Sequence, residues 1–303
     1  MKLILANNQG SKFVGFYDEI KKDSDVPIEY AGYESLIFKF NFSNEQTIDV
    51  INLKSKKSLR DYDGVYINGY LNTYELAAAV AIACQSNDVG YVNKEFEAPP
   101  SLSKLTMYAK LAKYQIKFPK SLGGTKSAFS AAGEILGQIK YPAVLKRADA
   151  DRGIDNYKVN SSSEVQDLIK DQSKRSLWIL QEFITHNGYY LLNFYDSQPK
   201  FGIYRTLEKR PDNNHQKAHM YKPKGGTNAK LQKISEVPEK VVSESKKAVY
   251  AMNRQIASVD SLISSADGEV YVIEVNYNPQ LVTIETFKNE RTKAFIDNLK
   301  NIT

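Results

Sequence analysis

Apolar residues along this chain fall into two rhythms. Short runs rich in β-branched and aromatic residues alternate with longer stretches in which apolar positions recur every three or four residues. "KLILAN" and "DGVYING" (Asp63–Gly69) have the first rhythm and predict strands. "TYELAAAVAIACQSN" has the second and predicts a helix, with Thr73 as its N-cap and Glu75 in its first turn. "VGYVNKEF" reads as the next strand. Strands alternating with helices predict a small α/β domain with a largely parallel sheet.

Pro99 and Pro100 break that pattern. Beyond them Ser101 or Ser103 caps a helix reaching about Tyr114, and "IKFPKSL" is an extended connection. "TKSAFSAAGEILGQI" predicts one further helix. "YPAVLKRA" predicts a strand, followed by a loop containing Gly153 and the returning strand "YKVN". "SSSEVQDLIKDQ" is a capped helix and "SLWILQEFI" a strongly apolar strand. The remainder is richer in strands. "GYYLLNFYDSQPKFGIYRTL" predicts a hairpin turning near Asp196 to Pro199, and a basic loop follows from Glu208 to Ala229. "SEVPEKVVSESKKAVYAMNRQ" is a long amphipathic helix, "IASVDSLISSADGEVYVIEVN" a second hairpin, and "TKAFIDNLKNI" a closing helix. Boundaries near Ala98 and Thr185 divide the chain into residues 1–98, 99–184 and 185–303.

Composition narrows the class. Of 303 residues, 42% are hydrophobic and 25% charged, as in ordinary globular proteins. The lone cysteine, Cys84, excludes an intrachain disulfide; within "AAAVAIACQ" it reads as a buried core thiol and favours a cytoplasmic location. The apolar run "LILA" is too short for a signal peptide, and no run approaches the ~18 residues of a membrane span. The net charge of +6 suits an acidic partner: nucleotide, polyanion, acidic peptide or nucleic acid. His215 and His219 are spaced i, i+4, but no helix pattern or cysteine accompanies them, which argues against zinc.

The chemistry concentrates in "EVYVIEVNYNPQL", an apolar strand that carries Glu274 and Asn276. Residues i and i+2 of a strand share a face, so these two stand side by side while Ile273, Val275 and Tyr277 point the other way. The preceding strand carries Asp260. A two-residue Asp267–Gly268 turn would set Asp260 opposite Val275. A three-residue turn, Ala266–Gly268 with Gly268 left-handed, would set it opposite Glu274 and cluster Asp260, Glu274 and Asn276. Two carboxylates and an amide oxygen suit Mg or Mn; a polar, solvent-facing strand is the other reading of the same pattern.

This ending, "ASVDSLISSADGEVYVIEVNYNPQL", resembles that of ATP-grasp enzymes, above all RimK-type carboxylate–amine ligases. The resemblance continues backward over roughly residues 100 to 285. "SLSKLTMYAKLAKYQIKFPKSL" is similar to the family's lysine-bearing helix, and Lys104 matches its phosphate contact. "YPAVLKRADADRGIDNYKV" is similar to the strand and phosphate-covering loop, with Lys146 and Gly153 in the matching places. "LWILQEFI" resembles the hinge that holds the adenine edge through its backbone, here Gln181, Glu182, Phe183 and Ile184. "KPKGGTNA" resembles the basic Gly-Gly segment, which carries Lys224.

The fold so implied is α/β (α+β): an N-terminal α/β pre-ATP-grasp domain, a small central lid and a C-terminal sheet domain, with ATP between the last two. The implied activity is ATP-dependent ligation of a carboxylate and an amine through an acyl phosphate, on small-molecule or peptide substrates. Asp260, Glu274 and Asn276 would hold Mg (or Mn), Arg205 and Lys224 would face the reacting groups, and Leu281 would pack on the base. Two departures stand out. The family's Asp-x-Arg after the hinge is replaced by "HNGYYLLNF", leaving Asn187 or Asn193 for the ribose, and Gln280 replaces a glycine. An ATP-dependent kinase and a catalytically silent nucleotide-binding regulator on the same fold are the alternatives. A nucleic-acid module explains the charge but not the Asp-Glu-Asn face.

Overall fold

The structure is a computed structural model and describes residues 1–6, 10–40, 48–68, 73–97, 103–148, 155–173, 176–206, 229–276 and 288–302. The N-terminal part runs β1 (Lys2–Ala6), α1 (Gly10–Asp23), β2 (Ile28–Gly32), β3 (Leu36–Phe40), β4 (Ile48–Asn52), β5 (Lys57–Ser58), β6 (Gly64–Ile67), α2 (Tyr74–Ser86) and β7 (Tyr91–Val92). Four of these strands form a parallel sheet in the order β2-β1-β6-β7; β3, β4 and β5 form a small antiparallel one. The parallel sheet is buried on both sides, which explains its continuous apolar runs. Leu3, Leu5, Val65 and Ile67 pack on Val80, Ala81 and Cys84 of α2. Ile4 and Tyr66 point the other way, onto Tyr17 and Ile20 of α1. Cys84 is fully buried, and burial pushes its thiol up to about 12.

The central part runs α3 (Lys104–Lys113), β8 (Ser121–Thr125), α4 (Lys126–Ala131), β9 (Ala143–Arg147), β10 (Asn156–Val159), α5 (Ser162–Ile169) and β11 (Leu177–Glu182). Its antiparallel sheet has the order β10-β9-β11-β8. The single helix expected over "TKSAFSAAGEILGQI" is in fact two pieces. Helix α4 ends at Ala131, Gly133 takes a φ of +42°, and a 3₁₀ segment, Gly133–Gln138, follows. Trp178 and Leu180 bury one face of β11 against Val165 and Ile169 of α5. Ile179 and Gln181 face the other way, as does Lys146, which pairs with Ile179 in the ladder.

The C-terminal part runs β12 (Gly188–Tyr195), β13 (Gln198–Thr206), β14 (Ala229–Gln232), α6 (Glu239–Ala251), β15 (Ala257–Ile263), β16 (Val270–Asn276) and α7 (Lys288–Lys300). The sheet order is β14-β13-β12-β15-β16, antiparallel throughout. β12 and β13 are joined at Asp196 and Ser197, both at positive φ as a two-residue hairpin turn requires. One sheet face, with Leu192, Phe194, Val259, Val272 and Val275, packs on α3 and α6. The other, with Tyr195, Phe201 and Ile203, packs on Phe295 of α7 and on Ile4 and Tyr66 of the N-terminal sheet. Among the described residues no helix is long and apolar enough to cross a membrane.

Candidate active site

The site begins at the β15–β16 hairpin. Asp260 stands directly opposite Glu274 and Ser258 opposite Asn276, so the pairing expected of the two carboxylates is present. The route to it differs from the expectation. The loop has four residues, Ser265–Gly268, closed by bonds from Ser264 N to the Glu269 carbonyl (2.9 Å) and from Gly268 N to the Ser264 carbonyl (3.0 Å). Gly268 does take the left-handed conformation, at φ +70°. A four-residue loop with a regular ladder would set Asp260 against Ile273. Instead the register shifts between Asp260 and Ser261, and Ile273 is the extra residue, a β-bulge. The apolar pattern demands it: Val270, Val272 and Val275 share one core, and their spacing of two and then three residues fits one face only if a residue is set aside. Ile273 therefore leaves the apolar face on which alternation placed it.

Asp260 is half-buried, and its Oδ1 has no hydrogen-bond partner. Burial, then the charge of Glu274, push its carboxyl up to about 7, against the opposing charge of Arg205. Glu274 has a cation close by: Lys104 Nζ lies 3.2 Å from its Oε1. Lys104 opens α3, so the expected phosphate lysine rests on an expected metal ligand. Met107 and Tyr108, three and four residues on, lie on the same helical face as Lys104.

Lys146 lies on the side of the central sheet turned toward α3, and it is 5% exposed. Its ammonium donates to Tyr108 Oη at 2.8 Å and to Gln181 Oε1 at 3.0 Å, and Gln181 Nε2 donates to Ser121 Oγ at 2.9 Å. Burial lowers its pKa to about 8, with Glu274 opposing the shift. Gln181 thus enters the site by its side chain as well as its backbone. At the hinge, Glu182 N–H donates to the Lys120 carbonyl (2.9 Å) and Phe183 N–H to the Pro142 carbonyl (3.3 Å). Among the described residues none takes the Ile184 N–H. The Lys158 ammonium sits 5.1 Å from the centre of the Phe183 ring.

Arg205 extends from β13 on the same sheet face as Asp260. Its Nη1 donates to Tyr189 Oη at 3.2 Å, and its buried Nε has no partner. Gly188 lets the strand carrying Arg205 approach, since a Cβ there would stand 2.4 Å from the Arg205 carbonyl oxygen. Arg291, in the first turn of α7, is also buried; burial chiefly and the charge of Arg205 lower its pKa, against Tyr195. Asn193 is fully buried opposite Ser258, one row from the acids, with neither end of its amide hydrogen-bonded. Leu191, within the segment that replaces Asp-x-Arg, stands opposite Asp260, and Asn187 is exposed. Gly153, Lys224, Leu281 and Gln280 lie outside the described residues, as do Tyr277, His215 and His219. Sequence patterns did not single out Tyr108 or Arg291. The only signal for Tyr108 was its spacing of four from Lys104.

The model of the RimK-like ATP-grasp domain matches residues 102–299. The chain belongs to the RimK-like ATP-grasp family. With that family come ligases that join carbon to nitrogen, and the architecture agrees. D-alanine–D-alanine ligase from Bacillus anthracis, solved with ATP, superposes with a TM-score of 0.66 at 16% identity, over 100% of this chain and 97% of that one. The ATP-grasp ligase PsnB, solved with a minimal precursor, Mg and ADP, gives 0.67 at 13% identity, over 99% and 96%. The macrocyclase MdnC of Microcystis aeruginosa MRC, bound to precursor peptide MdnA, gives 0.61 at 10% identity over the whole of both chains. No curated protein matches the sequence. At these identities the likenesses show the RimK-like chain's fold and leave its substrates open.

Proposed function

We propose that this RimK-like ATP-grasp protein is an ATP-dependent ligase that activates a carboxylate as its acyl phosphate and passes it to an amine. The observation that carries this reading is the convergence of two facing acids with lysines from two other elements: Asp260 against Glu274, Lys104 on Glu274, and Lys146 beside α3. A divalent cation fits the donor set. Asp260 keeps one oxygen without a partner, Glu274 faces it, and Asn276 adds an amide oxygen in the next row. Among the described residues no three His, Cys, Asp or Glu side chains converge, so the amide is the third donor from protein. Mg bound there would offset phosphate charge.

The chain's own residues do the rest. Lys146 and Arg205 hold phosphoryl oxygens, and Lys104, at the start of α3, is the third cation that would face them. Ile184 N–H, with the backbone of Gln181, Glu182 and Phe183 around it, meets the adenine edge. Lys224, Gly153 and Leu281 keep their expected roles at the acceptor, the phosphates and the base, and Asn193 its role toward the ribose. No covalent nucleophile is needed: the attacking carboxylate and amine are both substrates, and positioning with charge neutralisation drives the steps.

A peptide is the preferred carboxylate or amine partner. PsnB and MdnC, both similar to this chain in fold, were solved with precursor peptides, and the charge of +6 favours an acidic one. We assign the protein to the cytoplasm, with its ATP. The test is to mix protein, Mg-ATP and pooled acids, amines and peptides, then follow ADP and product mass. ADP that requires both an acid and an amine supports ligation. ADP with an acid alone makes the protein a kinase, and tight ATP binding with no turnover makes it a regulator.

A further inference from the structure

Helix α3 runs along the outer edge of β16. That strand ends its sheet, so one side of its backbone has no neighbouring strand. Three groups on that side find partners elsewhere. Val272 N–H donates to the Lys117 carbonyl at 2.9 Å. Val275 N–H points at Met107 Sδ, 3.2 Å away. The Ile273 carbonyl accepts from Tyr108 Oη at 2.7 Å. Ile273 is the bulge residue, which the β15 ladder leaves unpaired. The tyrosine oxygen that donates to it also accepts from Lys146 at 2.8 Å.

We propose that Tyr108 is a positioning residue that ties the nucleotide lysine to the metal-bearing strand: its hydroxyl holds Ile273 in the bulge, so that Glu274 faces Asp260, and its oxygen anchors the Lys146 ammonium. A ladder without the bulge would set Asp260 against Ile273 and turn Glu274 onto the valine side. Burial of Val275 favours the bulge, and the Tyr108 bond satisfies the carbonyl that the bulge leaves behind. The hydroxyl has one proton, and the Ile273 carbonyl takes it; Lys146 therefore meets a pure acceptor. The same helical face carries Lys104 onto Glu274 one turn earlier. Movement of α3 thus acts on both lysines and both acids at once. For substrates this rests on the ligase reading above; for register it does not.

Tyr108→Phe removes the hydroxyl and keeps the ring, which packs 5.0 Å from that of Phe118. Hydrogen exchange on the ligand-free full chain reads how firmly the bulge is held. We expect the β16 amides around Ile273 to exchange about tenfold faster in the variant. Unchanged exchange overturns the claim on the bulge. Calorimetric titration with ADP from pH 6.5 to 9.5 reads the second half. Among the described residues the charge that acts on the Lys146 ammonium is that of Glu274 on β16, while Lys104 on α3 acts on Tyr108, which stays neutral. Losing an acceptor disfavours the ammonium, so the alkaline decline in affinity moves to lower pH in the variant. A decline at the same pH overturns the claim on Lys146. If the wild type binds no nucleotide at all, the ATP site fails as a reading, and hydrogen exchange alone decides the role of Tyr108.

Discussion

Glu274 has a carboxylate opposite it and an ammonium 3.2 Å away. Its charge therefore answers for both the proposed metal face and the resting place of Lys104. We expect Glu274→Gln to lower ADP formation by about a hundredfold or more, with a melting temperature close to that of the wild type, because the side chain is partly exposed and outside the core. Wild-type turnover in this variant would remove Glu274 from the site. For Lys146→Ala we expect ATP binding about tenfold weaker or worse by calorimetry. The pH dependence has a definite sign. Burial lowers the Lys146 pKa to about 8, so we expect wild-type ATP affinity to hold below that pH and to fall as pH rises through it, read by calorimetry. The two acids and this lysine were legible because residue type and spacing point to them. The 2.8 Å bond from Lys146 to Tyr108 spans 38 residues, and no local pattern encodes a partner that far away.

The β15–β16 hairpin shows what an element can and cannot reveal from its sequence. The pairing of Asp260 with Glu274 was legible, but for the wrong reason. The loop is one residue longer than expected, and the bulge at Ile273 restores the register that the longer loop would have shifted. The signal was present in the valine spacing, which breaks strict alternation between Val272 and Val275. Gly268 supplies a clean test. A Cβ there would meet nothing within 4 Å, so only its φ of +70° resists substitution. We expect Gly268→Ala to cost about 1 kcal/mol in chemical denaturation, the usual penalty for a side chain in the left-handed region. Helix α4 fails in the opposite sense: its apolar period continues past Ala131, but Gly133 at positive φ ends the helix.

Across the whole molecule, the C-terminal sheet is the hub: one face meets the central sheet through α3, and the other meets the parallel N-terminal sheet through Tyr195, Phe201 and Ile203. The parallel N-terminal sheet was legible in its alternation of strands and helices. Its second strand β2, helix α1 and the small sheet of β3, β4 and β5 were not, because their apolar runs are short and interrupted by polar residues. The single tryptophan, Trp178, is fully buried in the central sheet, 5.7 Å from the Arg147 guanidinium. It therefore reports unfolding of that sheet alone, and we expect its emission to shift red in one step with loss of the central core.

The Lys104–Glu274 pair has a consequence for how the protein is made. Many metal-holding folds need their ion before the chain can settle, because like charges stay crowded without it. Here an ammonium from the chain already stands beside one of the two acids, and the other keeps its proton up to about pH 7. If the two acids hold a divalent ion as proposed, we expect the fold to form without it. A chelator should leave its melting temperature within about 1 °C of the untreated value, and a large drop would mean that the ion is part of the scaffold.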